Sequence, residues 1–205
     1  MKLIRKVKAI DARRAFVKTH LLRKFGIAEK HDKTIPTKAR YLKVQNKVKE
    51  AFKKLSEKQL DKYFMARRSR GKRLPAYNSV DWYIGEIEIK KIGVWKKAGG
   101  LPKEWTDNSL AYTAKMVRKG LGNGDKSIRK RSRRVLPAIM AVENIIKKDK
   151  YSLPIIFQRE VSPVKRKGLK KMAFEIDDGN MRCIAFAMNG DRKIKAYVGV
   201  QRKDK

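Results

Sequence analysis

The sequence holds one cysteine, Cys183, and two histidines, His20 and His31, in 205 residues. A single thiol excludes an intrachain disulfide, a multi-thiolate zinc site and an iron–sulfur cluster ligated by one chain. Neither histidine stands in a paired ligand motif, so no metal site and no cofactor is expected. Long apolar runs are missing too. No window approaches the roughly 18 uninterrupted apolar residues of a spanning helix. The most apolar long segment, Val135 to Ile146, is broken by Pro137 and Glu143. The opening stretch MKLIRKVKAIDARR alternates basic and apolar residues and lacks the apolar core of a secretory signal. It leaves open only an amphipathic surface helix. Acidic residues are the third scarcity. Asp and Glu number 20 against 55 Lys and Arg, a formal net charge of +35. A compact chain with that charge repels itself and calls for a polyanion.

What is present is enough for a core. The apolar fraction of 41% is ordinary for a globular chain, whereas the charged fraction of 37% exceeds the typical value of about 25%. The length suits one domain, or a small domain carrying an extended arm. Leu3, Val7, Ile10, Val17 and Leu21 recur at helical spacing and predict a helix over 2–25, with Gly26 placed to end it. Its other face carries Arg5, Lys6, Arg13, Arg14, Lys18, Arg23 and Lys24. Thr34 or Thr37, with Pro36, predicts the start of a second helix whose stripe is Tyr41, Val44, Val48, Phe52 and Leu55. Ser56 and Gln59 have capping-box spacing and open a third helix that buries Leu60, Tyr63 and Phe64. It runs into the dense cluster Arg67, Arg68, Arg70, Lys72 and Arg73.

Carboxylates gather on an apolar stretch in one place, AYNSVDWYIGEIEIKK, Ala76 to Lys91. Its β-branched and aromatic residues predict a strand over 80–92. Ile84, Ile87 and Ile89 cannot share one face at period two, so a bulge or turn is expected at Gly85. Asp81, Glu88 and Lys90 have the spacing D-x₆-E-x-K. Two carboxylates that hold a divalent cation and a lysine beside the attacking water are the parts of a metal-dependent nuclease site, and Glu88 and Lys90 point to one side of a strand. The bland alternative is a core strand in a lysine-rich chain. Gly99 to Pro102 predicts a turn, and Thr106 or Asp107 caps a helix over 108–119 ended by Gly120.

Asp125 is placed to cap a second basic helix bearing Lys126, Arg129, Lys130, Arg131, Arg133 and Arg134, with Pro137 kinking or restarting it. Glycines at 120, 122 and 124 precede it but lack the spacing of a nucleotide-binding P-loop. A short strand is expected within 151–157, then a basic loop over 162–171 with Lys165, Arg166 and Lys167. The end reads as three antiparallel strands, 172–176, 181–188 and 194–200, joined by turns at DDGN and NGD. The expected fold is α+β: basic N-terminal helices over 1–75, then a 76–205 core with a central strand–helix unit and a C-terminal three-strand meander.

The order Asp81, then Glu88 with Lys90, then Asn108 and Tyr112 on a following helix resembles the RecB-like CRISPR-associated nucleases, where an E-x-K strand precedes a helix with Q-x-x-x-Y. Asn108 stands in place of the glutamine, Asp81 is only seven residues before Glu88, and the cluster-binding cysteines of many such enzymes are absent. The chain also resembles a basic nucleocapsid protein of filamentous archaeal viruses, of proposed descent from such a nuclease. That resemblance implies a non-catalytic DNA-coating protein located in the virion, or in the host cytoplasm during assembly. Its partners would be double-stranded DNA, other copies of itself or a second coat protein, with RNA as an alternative. The candidate contacts are Arg13, Arg14, Arg67, Arg68, Arg70, Lys72, Arg73, Lys126, Arg129, Lys130, Arg131, Arg133, Arg134, Lys165, Arg166 and Lys167. A charge of +35 would neutralise at most roughly 60 Å of duplex, on the order of 18 base pairs.

Overall fold

The computed structural model describes residues 1–24, 46, 48, 50–51, 54–65, 73–163, 167–169 and 171–202. Helices pack on both faces of a mixed seven-stranded sheet, so the α+β class holds. The strands are β1 (Lys2–Val7), β2 (Asp81–Glu88), β3 (Ile92–Val94), β4 (Asn108–Ser109), β5 (Ile155–Gln158), β6 (Phe174–Asp178) and β7 (Lys193–Val200). They lie in the order β1-β2-β7-β5-β6-β3-β4. β3–β6 and β5–β7 are parallel, and the other pairs are antiparallel.

β2 shows why its isoleucines share no face. Trp82 and Ile84 belong to one core, and Ile87 to another on the opposite side of the sheet. A strand covered on both faces has no need of polar alternation. The irregularity expected at Gly85 falls instead in β1, between Leu3 and Arg5. β2 itself runs in unbroken register with β7, from Asp81 opposite Val200 to Glu88 opposite Lys193.

One core is built by helices α1 (Ala9–Lys24), α2 (Glu57–Met65) and α3 (Leu74–Ser79). Its centre is aromatic. Phe16 of α1 stacks on Phe64 of α2 with centroids 4.5 Å apart. Tyr77 of α3 meets Trp82 at 5.1 Å and Phe157 at 5.3 Å. Trp82 Nε1 donates to Tyr77 O at 2.8 Å, which satisfies the buried indole. The expected capping box of α2 is present: Ser56 N donates to Gln59 Oε1 at 2.8 Å, and Gln59 N to Ser56 Oγ at 3.3 Å. Of the preceding expected helix, Val48 is buried in this core and Leu55 is packed against it; Tyr41, Val44 and Phe52 lie outside the described residues.

The other core is built by α4 (Leu110–Gly122), α5 (Lys130–Ala141), α6 (Glu143–Lys148) and α7 (Asn180–Met188). α7 replaces the middle strand expected over 181–188. Its run MRCIAFAM is apolar all round because α4 and α5 both pack against it and residues 183–188 are all buried. Alanine and methionine, good helix formers, decide the conformation that a short apolar run leaves ambiguous. β6 and β7 are therefore joined by a helix, and β5 lies between them in the sheet.

Other expectations shift as well. Residues 2–7 are strand, not helix. Ile4 and Val7 are β-branched, and pairing with β2 supplies backbone bonds that a 3-4-7 apolar spacing does not specify. That pairing places residues from either side of position 75 in one sheet. α4 starts two residues later than expected, because Ser109 Oγ accepts from Tyr112 N at 3.2 Å and forms the cap. Gly120 does not end α4; it admits Trp105, whose ring would lie 2.2 Å from a Cβ at that position. α5 starts at Lys130, because Asp125 instead closes a turn by accepting from Ser127 N at 2.8 Å. Pro137 sits on the exposed side of α5, and the break comes at Val142.

Two outcomes follow from this packing. Trp82→Ala should cost about 3–5 kcal/mol in denaturant unfolding, because it leaves a cavity where the buried indole packs on Tyr77 and Phe157. Burial pushes the Cys183 thiol up to about 12. In the folded protein it should therefore resist a thiol-specific reagent at mildly alkaline pH, and react once denaturant is added.

Candidate nucleic-acid interface

Asp81 and Glu88 sit at opposite ends of β2, seven residues and roughly 23 Å apart along the strand. By alternation they also point to opposite faces. Asp81 pairs with Lys6 at 3.2 Å. Glu88 pairs with Lys91 at 2.8 Å and Lys90 at 3.3 Å. Hydrogen bonds from Lys91 and then Lys90 hold the Glu88 carboxyl down at about 2. The structure thus joins Glu88 to Lys90 and leaves Asp81 away from both. Asp81 and Glu88 cannot ligate one cation in this arrangement, and no described cluster of three His, Cys, Asp or Glu side chains is placed to hold a metal. Asn108 is exposed in β4, with its Oδ1 accepting from Ser109 N at 2.7 Å. Tyr112 is exposed on α4.

Several expected phosphate contacts point inward. Arg13 is 7% exposed and pins α2 to α1, reaching Asp61 at 2.7 Å and Glu57 at 3.3 Å. Arg73 lies 3.4 Å from Asp177 on β6 and over the rings of Trp95 and Phe16. Arg133 folds back on the α4–α5 connection. It donates from Nε to Ile128 O at 3.0 Å, and from Nη2 to Gly124 O at 2.9 Å and to Asp125 O. Lys18, read on the basic face of the first helix, is fully buried against Asp149 and Ser152. The helical period alone cannot separate a cation on the polar face from one that meets a carboxylate across an interface. Arg14 is half-buried on α1. Arg67, Arg68, Arg70, Lys72, Lys165 and Arg166 lie outside the described residues, and Lys167 opens a short 3₁₀ turn.

The remaining expected residues share one layer. Lys126 and Arg129 in the α4–α5 connection, and Lys130, Arg131 and Arg134 on α5, are exposed. α4 adds Lys115, Arg118 and Lys119, also exposed. The Asn108 and Tyr112 pattern expected on this helix does not point to these three. Their spacing of three and four marks one polar helix face. None of the eight makes an ion pair with a described residue. From Asn108 to Val142 the only acidic residue is Asp125. Its carboxylate is held below its ordinary range by the Ser127 backbone N–H, with Arg133 adding to the effect.

Local packing fixes where this layer stands. The apolar side of α4, Leu110, Ala114 and Val117, is buried, as are Leu136 and Ala138 of α5. Ser132 Oγ donates to Gly99 O, tying the first turn of α5 to the loop after β3. Gly100, at φ +77°, lets that loop lie against the Arg129 stem, where a Cβ would come within 2.4 Å of Arg129 Cδ. No protein-family model, curated protein or solved structure matches the chain significantly. The resemblance to the nuclease and nucleocapsid families accordingly rests on the motif residues and composition.

The inward and outward arginines should separate by experiment. Arg133→Ala removes its bonds to three loop carbonyls, of which Asp125 O keeps the Ile128 N–H, and should cost about 1–3 kcal/mol in unfolding. Arg13→Ala should lose a similar amount and leave the salt dependence of DNA binding unchanged. Arg134→Ala should fall within about 0.5 kcal/mol of the parent protein.

Proposed function

We propose that this chain is a structural nucleic-acid-binding protein that coats or condenses double-stranded DNA by phosphate neutralisation, without catalysis. The observation that carries the reading is the α4–α5 layer, where eight exposed cations stand without ion pairs to described residues. Cations lacking acidic neighbours are held ready for an external anion. Their number suits a backbone more than a single phosphate. Lysines and arginines along a duplex release condensed counterions, and this supplies affinity with little base readout. The nucleocapsid role, in a virion with further copies or a second coat protein, accords with the net charge of +35. The separation of Asp81 from Glu88 along β2 supports the non-catalytic part.

The eight cations correspond to about 14 Å of duplex, or on the order of four base pairs. Titration of duplex DNA across a salt series tests the reading. The slope of log Kobs against log salt concentration should lie between about −4 and −7, with scrambled sequences bound alike. The saturating footprint should lie between about four and 18 base pairs per chain. A footprint of two or three base pairs, or a slope near −1, would overturn the coating mechanism. Supercoiled DNA should remain uncut in magnesium or manganese, and cutting abolished by Glu88→Ala would restore the nuclease alternative.

A further inference from the structure

We infer that β1 is a docking edge for a second protein, and that it takes an extended segment in which acidic and apolar residues alternate. β1 ends the sheet on one side, and β2 is its one strand partner among the described residues. Alternate residues of such an edge direct N–H and C=O groups away from the sheet, where a further strand completes the ladder. Five of the six residues of β1 are exposed. Leu3 at 40% and Ile4 at 49% are among the few large apolar side chains that the described residues leave open. Lys2, Arg5 and Lys6 interleave with them, and of these Lys6 alone makes an ion pair with a described residue, Asp81. The register with β2 sorts these side chains by face. Lys2 stands opposite Glu86 and Arg5 opposite Ile84, on one face, whereas Leu3 stands opposite Gly85 on the other. Ile4, at the irregularity, has no partner in that register. A segment of period two therefore sets its acids beside Lys2 and Arg5 and its apolar residues beside Leu3.

Charge decides the occupant. A second copy offering its own β1 would set lysine and arginine against lysine and arginine, and like charges across a strand pair are destabilising. Its other sheet edge, β4, is two residues long and carries no acid. The described strands that do carry acids, β2 and β6, each have a neighbour on both sides in the sheet. Among the described residues the chain thus has no acidic strand edge to offer to another copy, and the acids come from a different protein. Cations on an edge commonly guard against unwanted pairing. Here the same cations reject a like edge and admit an unlike one, so the guard sets specificity. β4 lies at the opposite end of the sheet order and leads into α4. An occupant of β1 and DNA on the basic helices would use different parts of the surface, and the inference stands or falls apart from the DNA reading.

The probe is a synthetic peptide of about ten residues that alternates Glu and Val. A chain of charge +35 attracts any acid, so the control peptide has the same composition with its glutamates in one block. Fluorescence anisotropy reads affinity for the full chain, and amide hydrogen exchange reads the place of binding. The alternating peptide should bind at least about tenfold more tightly than the blocked one, and it should slow exchange selectively within residues 2–7. The double variant Leu3→Gln, Ile4→Gln, checked by circular dichroism, should lose that advantage and keep the parent affinity for the blocked peptide. Lys115→Gln with Lys119→Gln in α4 should leave the advantage intact. The exchange measurement needs no substitution, so it decides the matter even where the β1 variant folds poorly. Equal affinity for the two peptides, or protection outside β1, would overturn the docking edge. So would selective protection of β1 on concentrating the protein alone, which would make the occupant a second copy, or on adding duplex DNA, which would make β1 part of the DNA interface.

Discussion

Scarcity of carboxylate governs this structure. With 20 acidic side chains against 55 basic ones, most cations can have no intramolecular partner. The acids are placed where an uncompensated cation would be most harmful. Asp149 meets the fully buried Lys18. Glu57 and Asp61 meet Arg13 across the α1–α2 contact. Asp177 accepts from Tyr77 at 2.8 Å and faces Arg73, while Glu175 faces Arg159 and Asp178 faces Arg182. Glu143 and Asp191 enclose Lys147. Burying a charge is tolerable only when it is paired and hydrogen-bonded, so these acids are committed to the interior and its margins. The α4–α5 layer, which needs none for packing, is left cationic.

That allocation depends on a sheet covered on both faces. A sheet open on one side would have needed polar residues at every second position. Here β2, β5 and β7 carry apolar residues to both sides, whereas β6 turns Phe174 and Ile176 to one core and Glu175 and Asp177 to the other face, toward arginine partners. The same two-sided burial set the limit of what sequence could convey. Strands such as β2 and β7 were legible from their β-branched content, and α2 from its capping box. α7 was not, because an apolar segment covered all round loses the period that tells helix from strand. Residues 2–7 failed for the opposite reason. Their apolar spacing fitted a helix, and only pairing with β2, far along the chain, made them a strand.

The candidate site was legible in composition and only partly in residues. Charge gives the expectation of a polyanion, and of the contacts expected for it Lys126, Arg129, Lys130, Arg131 and Arg134 are exposed. Arg13, Arg73 and Arg133 carry the same charge and sit in similar basic surroundings, but Arg13 and Arg73 meet carboxylates supplied from elsewhere in the fold, and Arg133 turns back on the carbonyls of the preceding connection. No local pattern announces such a partner. The D-x₆-E-x-K spacing fails in a related way. Chemistry needs side chains to converge, and an uninterrupted strand with the two acids at its ends separates them.

The basic layer carries its own internal cost, and this bears on what the layer does. Lys115 and Lys119, and Lys130 and Arg134, are like charges four residues apart on helix faces. Such pairs destabilise a helix by roughly 0.2–0.5 kcal/mol each. Neither α4 nor α5 offsets this with an intrahelical acid, since residues 110–122 and 130–141 contain none. Both helices hold through their buried sides instead. On the proposed function, a polyanion laid along the surface relieves repulsion of this kind and so couples folding to binding. A ligand that binds only the folded state stabilises it by RT ln(1 + [L]/Kd), and relief of repulsion within the layer contributes to that affinity. On the proposed reading, the charge distribution that weakens the free protein is the same one that drives its association with DNA.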